Sequence, residues 1–225
     1  MSDYLIQIEN LNVTMNDYSI LENINTVFEN GNFYSIMGAN GSGKTTLLKS
    51  IAGMVSINSK AISIDNNLTI SFVPDTSNLY EYLTGMEYLV FVGKLNGNSN
   101  IEEKATDLLQ RFKLFNNRNN IISEYSNGMK QKLSLASAML TSPDILLLDE
   151  PMTGTDFTSN KVIKEFLKEF SKKKMVIMNT HFLDLSYELS DYIYVLKNKT
   201  IQETINCKDQ DKNQIVQKVK GLIDE

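Results

Sequence analysis

The stretch FYSIMGANGSGKTTLLKSIAG limits the fold more narrowly than any other part of the chain. Residues 38–45 spell G-x-x-x-x-G-K-T, with an apolar strand-like run before them and a helix-like run after. Gly41 and Gly43 permit backbone angles that larger residues resist, so successive N–H groups can curl around an anion. A helix that opens directly after such a turn adds its free N–H donors and the positive end of its dipole. Lys44 supplies a point charge for the β- and γ-phosphates of a nucleotide, and the Thr45 hydroxyl can ligate Mg²⁺. A glycine-rich turn without function is the bland alternative. From average residue frequencies, the pattern arises by chance in about 1 chain in 100 of this length, and the flanking strand and helix lower that further.

The rest of the chain reads as an α/β protein. Short apolar runs predict strands at 4–9, 26–29, 33–37, 61–65, 70–74, 145–149, 175–179, 192–196 and 200–205. Helical spacing predicts helices at 44–53, 84–95, 102–114, 129–140, 158–171, 182–189 and 211–223. The run DILLLDE has no polar alternation, as expected of a strand buried on both faces of a parallel sheet. From about 76 to 140 the pattern is almost wholly helical, which divides the chain into a core (1–75 and 141–225) and a helical insertion (76–140). No internal repeat of useful length is visible.

Composition excludes several classes of function. The net charge of −5 disfavours a dedicated nucleic-acid binder. Cys207 is the only cysteine, so there is no disulfide framework or thiolate metal cluster, and a reducing compartment fits. The start MSDYLIQIEN has neither a basic region nor an apolar one, so no signal peptide is expected. No apolar run approaches the roughly 18–20 residues that span a bilayer; any membrane role therefore needs another protein as anchor.

Three further features bear on chemistry. ILLLDEP places Asp149 and Glu150 at a strand end, the edge at which ligands gather in open α/β sheets. Asp149 can hold Mg²⁺, and Glu150 can orient or deprotonate an attacking water. His181, the only histidine, follows another apolar run and can donate to a γ-phosphate; from spacing alone a surface or satisfied-core histidine is an equal reading. Finally, SEYSNGMKQKLSLASAML puts Ser126, Asn127 and Gly128 at the mouth of a helix. That is ordinary capping or an anion site, and the two are inseparable locally.

GANGSGKTT, YSNGMKQKL, ILLLDEP and NTH stand in that order and together resemble the nucleotide-binding subunit of ATP-binding cassette (ABC) transporters. The resemblance covers nearly the whole chain, and the signature loop before the acidic pair is its most specific element. It implies a P-loop NTPase core with a mostly parallel sheet, an N-terminal antiparallel β region and an α-helical subdomain insertion. It implies ATP and Mg²⁺ as cofactors, ATP contacts at Gly38, Asn40, Gly41, Ser42, Gly43, Lys44, Thr45 and Thr46, and metal contacts at Thr45, Asp149 and Asp75. Lys44, Glu150 and His181 are then catalytic.

In this family two cassettes pack head to tail around two ATP molecules, so the resemblance implies that Ser126, Asn127 and Gly128 act on the nucleotide of the opposite subunit. The loop departs from the usual Leu-Ser-Gly-Gly-Gln. Asn127 replaces the first glycine, and its tolerance of left-handed angles is expected to keep the loop workable. PMTGTDF matches the D-loop, with Asp156 reaching the dimer interface. Asp75 stands where the family carries glutamine. Met15 or Tyr18 takes the place of the aromatic that packs on adenine. Asp75 stands only 31 positions after Lys44, short for the family, which implies a trimmed antiparallel region.

The phrase VPD…NLYEYLTG looks most like the bacitracin-exporter type. The implied protein is the ATPase subunit of an exporter, peripheral on the cytoplasmic face of the cell membrane. Its partners are a second cassette and an integral membrane permease, with no nucleic acid. The rival is a soluble ABC ATPase of the iron–sulfur assembly type. Three surface features are expected to be structural. KKK at 172–174 reads as a solvated helix end, the aromatics at 80–91 mainly as packing of the insertion with a permease-helix groove as the alternative, and Ile215, Val216, Val219, Leu222 and Ile223 as a helix face that covers the protein's own core or its dimer mate and not a membrane.

Overall fold

The computed structural model describes residues 5–58, 60–75, 78–97 and 100–224, without the side chains of residues 223 and 224. Tyr4, where the sequence opened its first strand, lies outside these residues, as do residues 76, 77, 98 and 99 of the insertion and the side chain of Ile223.

Strands β1 (Leu5–Met15) and β2 (Tyr18–Glu29) form a long antiparallel hairpin. Its turn residues Asn16 and Asp17 have φ 48° and 66°, the left-handed pair that a tight hairpin turn requires. The sequence predicted only the outer ends of these strands. Four asparagines hid the rest by interrupting the apolar pattern. Asn10 and Asn23 both adopt φ 48° at irregularities of the ladder. The Asn10 N–H donates to Asn25 Oδ1 and the Asn23 N–H to Asn12 Oδ1, both at 2.9 Å. Leu11 and Ile24 pair between them, fully buried. The segments Glu9-Asn10-Leu11-Asn12 and Glu22-Asn23-Ile24-Asn25 are thus one bulge built twice, each supplying the side chain that satisfies the other's backbone.

Strand β3 (Phe33–Met37) leads through the glycine loop into α1 (Lys44–Ile51). The two-residue β4 (Ile62–Ser63) pairs with β1 and completes a three-stranded sheet, β2-β1-β4; it is shorter than the strand that the apolar pattern predicts over 61–65. Next come β5 (Ile70–Val73), α2 (Gly85–Leu95), α3 (Ile101–Arg111) and α4 (Asn127–Ala138). Thr84 and Glu87 form a reciprocal capping box at the start of α2. The chain continues through β6 (Ile145–Asp149), α5 (Phe157–Ser171), β7 (Met175–Asn179), α6 (Leu183–Leu189), β8 (Tyr192–Lys197), β9 (Thr200–Asn206) and α7 (Lys212–Asp224).

The second sheet has the order β5-β6-β7-β3-β8-β9. All neighbours in it are parallel except β8 and β9. Every residue of β3, β6 and β7 is buried, which explains their unbroken apolar runs. Leu146, Leu148, Val176 and Met178 pack on one face with Leu89, Leu109, Leu133, Ile163 and Leu167 of the helices. Leu147, Ile177 and Ile36 pack on the other with Leu47, Ile51 and the hairpin residues Ile8, Leu11, Leu21 and Ile24. Each such aliphatic stabilises the fold by about 1.5–3 kcal/mol on burial, so the sheet is clamped from both sides.

Ile215 and Val219 of α7 cover Met37, Ile193, Val195 and Ile205, as the spacing of that helix predicted. The lysines at 172–174 are not all solvated: Lys174 pairs with Asp144, whose carboxylate also accepts the Thr69 N–H at 3.0 Å.

Because β6, β7 and β3 run parallel and adjacent, their C-terminal ends share one edge. Asp149 stands opposite Asn179, and Asn179 opposite Ile36. The glycine loop that leaves β3 therefore opens beside the acidic pair that leaves β6.

Candidate active site

The glycine loop is shaped by contacts that exclude side chains. Gly43 has φ 103°, and a Cβ there would lie 2.7 Å from Leu21 Cδ2. It is the N-cap of α1, and β2 packs on it so closely that no side chain fits. Lys44 folds back over the loop, its Nζ donating to the carbonyls of Gly38 at 2.8 Å and Ala39 at 3.0 Å. Burial holds its pKa below the ordinary lysine value, opposed by the charges of Glu150 and Asp149.

Thr45 Oγ1 donates to Asp149 Oδ1 at 3.0 Å. These hard oxygens fit Mg²⁺. Among the described residues no group of three or more His, Cys, Asp or Glu could hold a metal alone. That matches a cation which takes one or two protein oxygens and completes its shell with water and phosphate.

Glu150 has φ 48°, a conformation that costs a non-glycine residue about 1–3 kcal/mol. Its carboxylate lies 3.0 Å from His181 Nδ1 and accepts from Thr153 Oγ1 at 3.3 Å. His181, predicted to face a phosphate, is thus linked to the acidic pair.

Two adjoining clefts result. One, of about 430 Å³, is lined by Ile20, the loop residues Asn40, Gly41, Gly43, Lys44, Thr45 and Thr46, and the carboxylates of Asp75, Asp149 and Glu150. The other, of about 420 Å³, is lined by Gly38, Ala39, Asn40, Asp75, Glu150, Thr153 and His181. Asn40, Asp75 and Glu150 belong to both. Asp75 is exposed at the cleft rim, yet partial desolvation first, and then the Asp149 and Glu150 charges, push its carboxyl above its usual range, with His181 opposing. Ser42 lies on the outer side of the loop, beside residues 196–199.

Met15 and Tyr18 face each other across the hairpin turn, 39% and 75% exposed, and neither lines either cleft. Ile20 does; an aliphatic in a strand gave no sequence signal for this.

Ser126 caps α4, its Oγ accepting the Met129 N–H at 3.2 Å. Asn127 is the first residue of that right-handed helix. The left-handed tolerance expected of it is not used, because the cap already turns the chain. Gly128 packs on the D-loop of its own subunit: a Cβ would lie 2.5 Å from Asp156 Oδ2 and 2.4 Å from Ser159 Oγ. Asp156 itself caps α5, accepting from the Ser159 N–H at 2.9 Å and Oγ at 2.7 Å, and these bonds lower its pKa. Signature and D-loop therefore form one surface; the signature residues line neither cleft of the same chain, and of the D-loop only Thr153 does.

A phosphate-binding loop after one strand of a parallel sheet, with an acidic pair at the same edge two strands away, defines a P-loop nucleotide-binding protein. The family model described as "ABC transporter" matches residues 21–153, and the chain belongs to that family as an ATP-binding cassette and ABC ATPase. It is 31% identical over 205 residues to the uncharacterized ABC transporter ATP-binding protein YxlF of Bacillus subtilis, covering 88% of this chain and 69% of that protein. It is 29% identical to the zinc import ATP-binding protein ZnuC of a Wolbachia species from Brugia malayi, covering 92% and 83%. The fold matches cbiO1 from Clostridium perfringens, described as part of the ABC transporter complex cbiONQ, with TM-score 0.82, 25% identity and 97% and 95% coverage.

Proposed function

We propose that this cassette hydrolyses ATP between two copies of itself, or between itself and a related cassette, and that the closure drives a separate membrane permease. The observation that carries this is the meeting of Lys44, Thr45, Asp149, Glu150 and His181 around two adjoining clefts, while Ser126 and Gly128 stand outside them. Each half-site then lacks the donors that a second copy brings. The core (1–75 and 141–225) holds the nucleotide, and the helical insertion (76–140) carries the signature loop and meets the permease.

Within the site, the loop N–H groups and Lys44 hold the phosphates of ATP. Thr45 and Asp149, with Asp75 at the rim, would hold Mg²⁺, which would supply neutralisation of phosphate charge. Glu150 takes a proton from water as the water oxygen bonds to the γ-phosphorus. The bond from that phosphorus to the β–γ bridging oxygen breaks, and the electron pair leaves with ADP. His181 sits against Glu150 and offers its ring to the departing phosphate. If Nδ1–H donates to Glu150, Nε2 donates only from the doubly protonated ring. Met15 or Tyr18, at the hairpin tip, packs on adenine. Asp156 stands beside Gly128 at the dimer seam.

No helix among the described residues is long and apolar enough to cross a membrane, so the permease provides the anchor at the cytoplasmic face. The likeness of VPD…NLYEYLTG to bacitracin-exporter-type cassettes supports export, whereas the zinc-import name of one relative supports import. The permease decides between them. The test is mild-detergent affinity purification of the tagged protein from its native membranes. A multi-span membrane protein recovered in near one-to-one ratio is the expected result. Recovery with soluble partners only overturns the transporter reading in favour of an iron–sulfur assembly type of ATPase.

A further inference from the structure

The strand between the glycine loop and the acidic pair ends in a polar residue that nothing in its packing requires. Asn179 closes β7, whose other four residues are Met175, Val176, Ile177 and Met178, all fully buried. Asn179 is itself 0% exposed. A buried amide among aliphatics is costly unless it is hydrogen-bonded, and this one is only half satisfied. Its Nδ2 donates to Asp149 Oδ1 at 2.9 Å, while its Oδ1 has no hydrogen-bond partner among the described residues. Turning the amide over does not help, because it would set an oxygen against the carboxylate. An unpaired buried acceptor is destabilising, so Asn179 holds Asp149 at the expense of its own other end.

The backbone of the same residue holds the second carboxylate. The Glu150 N–H donates to the Asn179 carbonyl at 3.2 Å, at the point where Glu150 enters its left-handed conformation. Asp149 Oδ1 therefore receives two donors, Asn179 Nδ2 and Thr45 Oγ1. Asn179 stands in register with Asp149 on one side and with Ile36, two residues before the glycine loop, on the other.

We propose that Asn179 is the positioning residue of the divalent-cation site: its amide fixes the rotation of the Asp149 carboxylate so that Oδ2 is presented to the metal of a metal–nucleotide complex. The proposal rests on the nucleotide-hydrolysis reading above. Groups that hydrogen-bond a ligating carboxylate typically account for 10- to 100-fold in metal affinity. The selectivity is for nucleotide bound with a divalent cation over nucleotide alone, because Asn179 lines neither cleft and its amide donates to Asp149.

The test uses the full chain, a non-hydrolysable ATP analogue, and Mg²⁺ or Mn²⁺. Affinity for the analogue is measured by calorimetry in EDTA and across a metal titration, for the parent and for Asn179→Leu, which keeps the volume and removes the amide. The expected result is unchanged affinity in EDTA, with at least a tenfold higher metal concentration needed to reach half of the metal-dependent gain. Mn²⁺ bound in the ternary complex, read by its spin-resonance spectrum, falls in parallel. An unchanged metal titration overturns the proposal. Equal losses with and without metal, at an unchanged Tm, overturn it too, since they place Asn179 in nucleotide binding at large. If Asn179→Leu does not fold, Asn179→Ser, too short to reach Oδ1, carries the same test. A parent chain with no metal-dependent gain would instead defeat the function proposed above.

Discussion

His181 Nδ1 lies 3.0 Å from Glu150 Oε2, which ties the end of one parallel strand to the end of its neighbour across the mouth of the site. This pair joins the residue that can take a proton from water to the one that can meet the phosphate. Glu150 lies in the left-handed region and also accepts from Thr153. Its carboxylate is thus held at a set position instead of ranging in solvent.

Replacing Glu150 by Gln removes the base and leaves the hydrogen-bonding shape. ATP binding should persist while turnover falls by about 10²–10⁴-fold, the usual worth of a positioned base. ATP then stays trapped, so the variant should form a dimer at saturating Mg-ATP. Phosphate release and light scattering measure the two effects. A monomeric variant under those conditions would contradict the sandwich.

Lys44→Ala tests the glycine loop itself. Lys44 is buried, 8% exposed, and its ammonium donates to the loop carbonyls of Gly38 and Ala39, so it is already placed where phosphate oxygens arrive. A charge-assisted hydrogen bond is worth about 1.5–3 kcal/mol, which predicts a loss of roughly 10- to 100-fold in ATP affinity by equilibrium titration. Unchanged binding would remove the assignment of residues 38–45 as the phosphate site.

The sequence made the central part of this site legible because its signals are local. Gly43, Lys44, Thr45, Asp149 and Glu150 each act through a short motif beside an apolar strand, and the parallel register brings those strand ends together. What stayed hidden depends on distant partners. Asn179 lay in plain view within NTH, yet its bond to Asp149 exists only because β6 and β7 are neighbours. Ile20 reaches the cleft because β2 packs on Gly43. The hairpin was missed where Asn10, Asn12, Asn23 and Asn25 broke the alternation, since side chains that replace ladder bonds look like loop residues. For Gly128 the sequence offers only a helix cap or an anion site, whereas the structure adds a steric reason, its contact with Asp156 and Ser159.

Asp75 offers a test of charge. It stands exposed at the rim of both clefts, and the Asp149 and Glu150 charges help to push its carboxyl upward. The negative charge that opposes its ionisation equally opposes a bare triphosphate. Asp75→Gln should tighten binding of ATP in EDTA by about 1 kcal/mol, roughly fivefold, the scale of one charge at a few ångströms in a wet site. The gain should be smaller with Mg²⁺ present, because the cation neutralises the repulsion. Parallel titrations with and without Mg²⁺ check it; equal changes in both would show that Asp75 does not act through charge.

Gly128 separates packing within one subunit from action across the dimer. A methyl group there would meet Ser159 Oγ at 2.4 Å and Asp156 Oδ2 at 2.5 Å, pushing Asp156 off the N-terminus of α5. Overpacking of this kind costs about 1–3 kcal/mol, or roughly 2–10 °C in Tm for a chain of this size. Gly128→Ala should therefore melt lower. Adding Ser159→Gly should recover much of the loss by removing the nearer obstacle. ATP affinity of the single chain should hold throughout, because neither Gly128 nor Ser159 lines the clefts, while turnover stays low in the double variant if the signature loop must seat on a second copy. A Gly128→Ala chain that melts like the parent would show that the α4–α5 contact yields freely, and the steric reason for this glycine would fall.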